Sequence, residues 1–201
     1  MSQASNNGTM SISNELSSLL GKLSEENLHK VRDYAEYLQW RESQNQARSA
    51  WTYNFIEHFA SAECSAERDS AGLEIKIADA SCAGETRAAV WEHPPLSGAA
   101  RVSYVVPIPS RLRGLRLRFA IGIRDGAELP PDRYVAFRVL VNDWKLWSAV
   151  KNSRRWDDYE VVMPELSSDV ARIVFVTDGL GDHRWNWAVW GEPRLVGEHA
   201  G

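Results

Sequence analysis

The segment IVFVTDGLGDHRWNWAVWGEPRL, residues 173–195, decides the fold. It opens with β-branched and aromatic residues, which are typical of a strand. The segment DGLGD at 178–182 then breaks the pattern, because its two glycines can hold positive φ angles and its two aspartates favour a loop. A second strand is predicted from Trp185 to Trp190, ended by Gly191 and Pro193. The two strands predict a hairpin whose second half carries three tryptophans.

The chain after residue 50 alternates apolar and polar residues with the period of two that strands require. Clusters of Pro, Gly and Asp separate the alternating stretches. This spacing predicts an antiparallel β-sandwich. The stretches fall at 51–59, 73–77, 102–108, 115–123, 135–141 and 159–163.

Several short motifs occur in the order found in a known family. The last hairpin has TDG at 177–179, WAVWG at 187–191 and PRL at 193–195; upstream lie VWEHPP at 90–95, FAIGIRDG at 119–126 and FRVLVN at 137–142. From roughly Trp51 to Val196 the chain therefore resembles the NPCBM-type carbohydrate-binding modules. The resemblance implies a mostly β, galactose-binding-like jelly roll that binds a saccharide. The family has Asp where this chain has Asn186, which argues against a role that needs that carboxylate.

The N-terminal part of the chain has a helical period. Residues 1–11 are predicted to be a disordered tail and residues 12–48 an α-helical hairpin ahead of a β domain at 49–201. Gly21 is a plausible helix stop and Ser24 an N-cap. Leu28, Val31 and Leu38 follow at three- and four-residue spacing. The hairpin resembles small helical domains of antitoxin-like prokaryotic proteins.

This hairpin has too few large apolar residues to be stable alone. We expect it to support self-association or to bind a protein partner. Packing on the chain's own sandwich is an equally consistent alternative.

Charge and composition exclude several functions. The 201 residues carry a net charge of −4, which argues against general binding of nucleic acid. The basic run Arg111, Arg113, Arg116, Arg118 places its last two members together on the solvent face, where acidic residues of a neighbouring strand would neutralise them. A phosphate-binding or nucleic-acid surface is the minority interpretation.

Targeting signals and cysteine use indicate the compartment. The N-terminus lacks the apolar region of a signal peptide, and no stretch has the length of a membrane span. A cytoplasmic location without membrane contact is expected. Cys64 and Cys82 form no metal motif; a disulfide between them is conceivable, and free thiols are favoured in this compartment.

The sequence does not predict an enzyme, because it contains no nucleophile elbow, zinc-protease motif or phosphate loop. Asp178 and Asp182 could supply oxygen ligands to calcium, and the resemblance implies a structural Ca²⁺. No other cofactor is expected. His183 is a single imidazole, which is more typical of a hydrogen-bonded loop residue than of a metal ligand.

Saccharide binding is the sharpest functional prediction. A pyranose needs an exposed aromatic ring beside fixed hydrogen-bonding groups. Three groups qualify: Trp144 and Trp147 with Asn142, Asp143 and Lys145 at a strand-to-strand turn; Trp156 beside Asp157 and Asp158; and the set Asp182, His183, Arg184, Trp185 and Asn186. Most of these rings are expected in the core, with one or two exposed. The prediction is a non-catalytic carbohydrate-binding module on a helical self-association arm; the alternative is a protein-interaction or structural subunit whose sandwich binds no sugar.

Overall fold

A computed structural model describes residues 14, 16–182 and 184–199, without the side chains of residues 40–49. The predicted tail at 1–11 and His183 lie outside the described residues. The chain divides into two compact units, Met1–Arg48 and Ser49–Gly201. The division lies where the sequence changes from the helical period to the strand period.

The first unit is helical. Residues 16–20 are helical, residues 21–22 form a turn, and helix α1 spans Glu25–Ser49. The carbonyl of Ser24 accepts the first helical hydrogen bond from the Leu28 amide at 2.9 Å, and the acidic residues Glu25 and Glu26 occupy the first turn, where they stabilise the helix dipole. The predicted second helix is confirmed and ends at Ser49, one residue beyond the helical region predicted at 12–48.

The second unit is an antiparallel β-sandwich, as predicted. The strands are β1 Ala50–Asn54, β2 Glu63–Ala66, β3 Glu74–Cys82, β4 Glu85–His93, β5 Ala99–Pro107, β6 Leu112–Ile123, β7 Val135–Val141, β8 Trp144–Lys151, β9 Asp157–Val162, β10 Val170–Asp178 and β11 Ala188–His199. One sheet, sheet I, has the order β3-β4-β11-β6-β9, with β1 also paired to β11. The other, sheet II, has the order β2-β5-β10-β7-β8. A 3₁₀ turn, Phe59–Ser61, separates β1 from β2.

The core between the sheets is rich in aromatic residues. The ring of Phe175 on β10 lies 4.9 Å from that of Trp190 on β11 and 5.0 Å from that of Phe55, in edge-to-face arrangements. The Phe175–Trp190 contact joins β10 and β11, the two strands of segment 173–195, across the sandwich. Strand β10 is buried on both faces, since Val174 and Val176 pack on the outer side of sheet II. That burial explains the continuous apolar run at 173–176.

The predicted second strand, Trp185 to Trp190, is wrong in its bounds. Strand β11 begins at Ala188 and continues through Gly191 and Pro193. A bulge between Gly191 and Arg194, with Glu192 at φ +44°, accommodates both residues that were expected to end the strand. Trp185 and Trp187 lie in the preceding loop, and Trp190 is the tryptophan of the predicted segment that belongs to the strand.

Strand β1 is shorter than the predicted alternation at 51–59. The Asn54 side chain accepts a hydrogen bond from the Ile56 amide at 3.0 Å, which turns the chain at this point. The solvent-side arginines of β6 behave as predicted: Arg116 and Arg118 both pair with Glu160 on β9, at 2.5 and 2.6 Å. Cys64 and Cys82 are free thiols. None of the helices in the described part of the chain is both long and apolar enough to cross a bilayer.

Candidate functional site

Strand β10 separates two of the three predicted groups of ligand residues, which lie at opposite ends of the sandwich. At its start, the Arg172 carbonyl accepts a hydrogen bond from the Asn142 amide at 2.8 Å, beside Trp144. At its end, Asp178 begins the loop that carries Trp185. Strand residues rise about 3.3 Å each, so the two ends are about 20 Å apart. Trp144 and Trp185 therefore cannot form one site.

Trp144 and Trp147 have different environments although both lie on β8. Trp144 follows the two-residue turn Asn142-Asp143, whose residues both have positive φ, and its side chain is 82% exposed. Trp147 packs inward, with its ring 4.8 Å from Phe119. Its ring also packs against those of Tyr159 and Trp190, so the Trp147 ring is part of the core and does not belong to the candidate site.

Trp156 is sealed on the outer face of sheet I and is only 8% exposed. Its indole Nε1 donates to the carbonyl of Glu85 at 3.0 Å, and its ring lies over Gly122 and Gly191. A ring enclosed in this way cannot stack on a sugar. The prediction of a ligand site at Trp156 is therefore corrected.

The remaining predicted residues line a cleft between two loops. One loop, residues 124–134, joins β6 to β7, and the other, residues 179–187, joins β10 to β11. The cleft has a volume of about 150 Å³ and is lined by Glu128, Pro130, Arg133, Gly179, Asp182, Arg184, Trp185 and Asn186. Asp182, Arg184, Trp185 and Asn186, four of the candidate ligand residues, thus line one cleft, and His183 lies outside the described residues.

Asp182 connects the two loops electrostatically. Its carboxylate accepts hydrogen bonds from the Arg184 amide at 3.0 Å and from Arg184 Nη2 at 2.8 Å, and it pairs with Arg133 Nη1 at 3.0 Å. The hydrogen bonds from Arg184, with the added charge of Arg133, hold the pKa of the Asp182 carboxyl well below its ordinary value. The carboxylate is therefore ionised at neutral pH and fixes the positions of both guanidinium groups.

Asn186 forms the floor of the loop and is 2% exposed. Its side-chain amide donates to the carbonyl of Asp182, and its own carbonyl accepts from the Ala188 amide at 2.7 Å. The His93 ring also bonds this carbonyl at 2.8 Å. Because position 186 must supply a donor, an amide fits where a carboxylate would face an oxygen.

Trp185 is the exposed aromatic ring of the cleft. Its side chain is 37% exposed and its backbone has φ +64°, a left-handed conformation that bulky residues rarely adopt. Such strain costs about 1–3 kcal/mol and is concentrated at functional sites. The Trp187 ring lies beside it, with the two ring centroids 5.5 Å apart.

The two predicted calcium ligands have cationic neighbours. Asp178 accepts hydrogen bonds at 3.2 Å from both terminal nitrogens of Arg138, and its other oxygen accepts the Leu180 amide at 2.8 Å. Asp182 is likewise held by arginines. Among the described residues, no group of three or more His, Cys, Asp or Glu side chains is arranged to hold a metal. These carboxylates do not fit a calcium site in this arrangement, and the calcium prediction rests on the resemblance alone.

Sequence reasoning missed the contribution of the 124–134 loop. Arg133 and Glu128 line the cleft, yet no periodic pattern or motif marks them. The only signal was the position of FAIGIRDG, whose strand ends where this loop begins. Contacts between loops that are distant in sequence require the sheet topology to be known.

The β-sandwich is similar in fold to solved carbohydrate-binding modules. The tandem CBM51 modules of a family 98 glycoside hydrolase from Streptococcus pneumoniae are similar with a TM-score of 0.50 and 10% identity, over 73% of this chain and 47% of that one. A CBM51 from Clostridium perfringens GH95, in complex with methyl-galactose, is similar with a TM-score of 0.46 and 13% identity, over 72% and 99% of the two chains.

A Clostridium perfringens structure that contains CBM51-2 with GlcNAc has a TM-score of 0.48 and 11% identity, over 68% of this chain. The present chain spans 29% of that structure's length. No family model and no curated protein sequence matches the chain. At 10% identity and a TM-score of 0.50, the tandem CBM51 modules show a likeness of fold alone.

Proposed function

We propose that the protein is a non-catalytic carbohydrate-binding module whose ligand site is the cleft beside Trp185. The observation that carries the proposal is the strained, partly exposed Trp185 ring held next to fixed polar groups. An indole face can stack on the apolar face of a pyranose. The guanidinium groups of Arg133 and Arg184 supply donors to hydroxyl groups, and Glu128 supplies an acceptor.

The cleft is favoured over Trp144 because its groups are already ordered. Asp182 fixes both arginines, and Asn186 is held from both sides by hydrogen bonds. Ordered groups lose little conformational entropy when a ligand binds. Trp144 is more exposed, but it follows a hairpin turn at the edge strand of sheet II and lies at the other end of the sandwich.

The test combines a glycan array with tryptophan fluorescence titrations that use methyl galactoside and N-acetylglucosamine as probes. Trp185→Ala should weaken binding by about 5- to 30-fold, because a well-packed aromatic contact contributes on the order of 1–2 kcal/mol. Trp144→Ala is the matched control and should bind like the wild type. Loss of binding in the control alone would move the site to the other end, and a blank array would contradict sugar binding.

The helical unit supports a second part of the proposal, self-association. Leu28, Val31, Ala35 and Leu38 follow a three-four spacing, the pattern of a coiled-coil seam. Leu28 and Val31 are exposed in the single chain. A second copy of the same helix would cover this stripe, and the ion pair Glu26–Lys30 supports the helix on another face.

Light scattering of the full chain tests the self-association. Val31→Glu places a charge in the seam and should convert the assembly to monomer. His29→Glu adds the same charge outside the seam and should leave the mass unchanged. A wild-type chain that is already monomeric at high concentration would refute this part, and would leave the saccharide proposal standing.

A further inference from the structure

Trp185 lies at one end of a row of stacked aromatic and cationic side chains. Arg124, directly after β6, has its guanidinium carbon 3.2 Å from the centroid of the Trp91 ring and 4.9 Å from that of the Trp187 ring. Trp187 then neighbours Trp185 at 5.5 Å. At the far end, Lys76 Nζ lies 4.2 Å from the centroid of Trp91. We call these five side chains the stacked row.

Arg124 is tied to Trp187 by its backbone as well as by its side chain. The Arg124 amide donates to the carbonyl of Trp187 at 3.0 Å. Gly126 follows closely, and a Cβ at that position would lie 3.2 Å from Trp187 Cζ3. The Trp187 ring is therefore confined by the 124–134 loop, although Trp187 itself belongs to the 179–187 loop.

The environment of Arg124 strengthens its contacts with the indoles. Burial lowers the pKa of its guanidinium from the ordinary arginine value, although Glu74 raises it. A guanidinium that has lost part of its hydration interacts more strongly with an aromatic face than one in water. Trp91 presents such a face on β4, where its indole Nε1 is buried without a hydrogen-bond partner in the described part of the chain.

We infer that Arg124 is a positioning residue for the Trp185 ring: its guanidinium bridges Trp187 to Trp91 and thereby sets the orientation of Trp185. This inference rests on the proposed function. Arg124 is absent from the residues that line the cleft, so it acts on a ligand only through the two indoles. The competing explanation is that the contacts of Asp182 and Asn186 alone orient Trp185.

The Trp185 and Trp187 indoles are close enough to give a circular dichroism signal in the absence of a ligand. The Trp185 and Trp187 rings are 5.5 Å apart and inclined by 48°, a geometry that produces exciton coupling in the tryptophan bands of the circular dichroism spectrum. Trp185→Phe defines which part of the spectrum comes from this pair. The coupling therefore reports the orientation of the Trp185 ring before any sugar is added.

The experiment compares Arg124→Met with Lys76→Met in the full chain. Both changes replace a cation with an unbranched apolar side chain, but Lys76 contacts only the far side of the row. Arg124→Met should lose the coupling signal and bind methyl galactoside about tenfold more weakly, whereas Lys76→Met should keep both. If Arg124→Met fails to fold, Arg124→Lys is measured instead. This variant keeps the positive charge but lacks the planar guanidinium group, so it should partly weaken both the exciton coupling and the affinity.

The outcomes distinguish the positioning role of Arg124 from saccharide binding itself. An unchanged coupling signal and unchanged affinity in the Arg124 variant would overturn the positioning role and leave the saccharide site intact. A wild-type protein that binds no sugar, with the coupling still dependent on Arg124, would refute the proposed function and with it a role of Arg124 in binding. Equal losses in both variants would also contradict the inference, because Lys76 does not touch Trp187.

Discussion

Arg133 Nη1 lies 3.0 Å from Asp182 Oδ2, and this ion pair joins the loop after β6 to the loop after β10. Both loops cross from one sheet to the other, since β6 and β11 belong to sheet I and β7 and β10 to sheet II. The pair therefore closes the cleft across the end of the sandwich. Its position makes the cleft dependent on contacts between the sheets.

Replacing Arg133 with Met should loosen the 179–187 loop with little effect on global stability. A partly exposed ion pair contributes about 1 kcal/mol or less to the free energy of unfolding. We expect faster hydrogen exchange of amides in the 179–187 loop and an almost unchanged unfolding midpoint. Arg101→Met, which removes a surface pair with Glu67, is the control and should leave exchange in this loop unchanged. Equal protection in both variants would contradict the proposed link.

Asn186→Asp should destabilise the protein by about 1–3 kcal/mol, because it replaces a buried donor with an acceptor that faces the carbonyl of Asp182. Urea unfolding measures the change. Asn152→Asp is a matched control, since the exposed Asn152 amide also donates to a carbonyl, that of Pro131 at 2.9 Å. Water can replace that hydrogen bond, so Asn152→Asp should lose clearly less stability than Asn186→Asp. A stable Asn186→Asp variant would mean that the amide is not needed as a donor.

The fold followed from patterns that are local in the sequence. Alternation at 102–108, 115–123 and 135–141 predicted β5, β6 and β7, because each strand has one face in the core. Strand β8 was absent from the predicted alternating stretches: only Asn142 and Asp143 form a turn, and the polar residues after them continue as an edge strand. Edge strands bury less apolar surface and so give a weaker pattern.

The candidate site was predicted only in part, for a related reason. The cleft residues of the 179–187 loop are close in sequence, so their grouping was visible. The burial of individual rings was not visible in the sequence, because the Trp156 ring is covered by β3 and β4 and lies over two glycines of other strands. The partners Arg133 and Arg124 come from a loop that meets the site only in the folded sandwich.

Glu92 should make the protein less stable as the pH rises above the ordinary glutamate range. The residue is fully buried, and desolvation raises the pKa of its carboxyl well above the usual value despite a hydrogen bond from Trp190 Nε1 at 2.5 Å. In the unfolded chain a glutamate ionises near a pKa of about 4.3. Between that value and the raised pKa the unfolded state releases a proton that the folded state keeps. The free energy of unfolding therefore falls as the pH increases through this window.

Glu92→Gln isolates this effect, because the amide oxygen can still accept from Trp190. The variant should gain stability relative to the wild type as the pH rises from about 4.5 to about 8, by at most about 1.4 kcal/mol for each pH unit. Urea unfolding at several pH values measures the difference. Glu198→Gln at the exposed end of β11 is the control and should not change the slope. A constant difference between Glu92→Gln and wild type would show that Glu92 keeps an ordinary pKa.

Gly122→Ala should destabilise the outer face of sheet I, because Trp156 occupies the space above Gly122. An added Cβ would lie 2.9 Å from Trp156 Cε3 and 2.5 Å from Cys82 Sγ, closer than atoms can pack. Overpacking of this kind costs about 1–3 kcal/mol. Trp156 should become more accessible, so collisional quenching of tryptophan fluorescence should increase along with the loss of stability. In Gly21→Ala the added Cβ meets nothing closer than 3.6 Å, and neither quantity should change. Quenching that stays constant in Gly122→Ala would mean that the ring is not held against this strand.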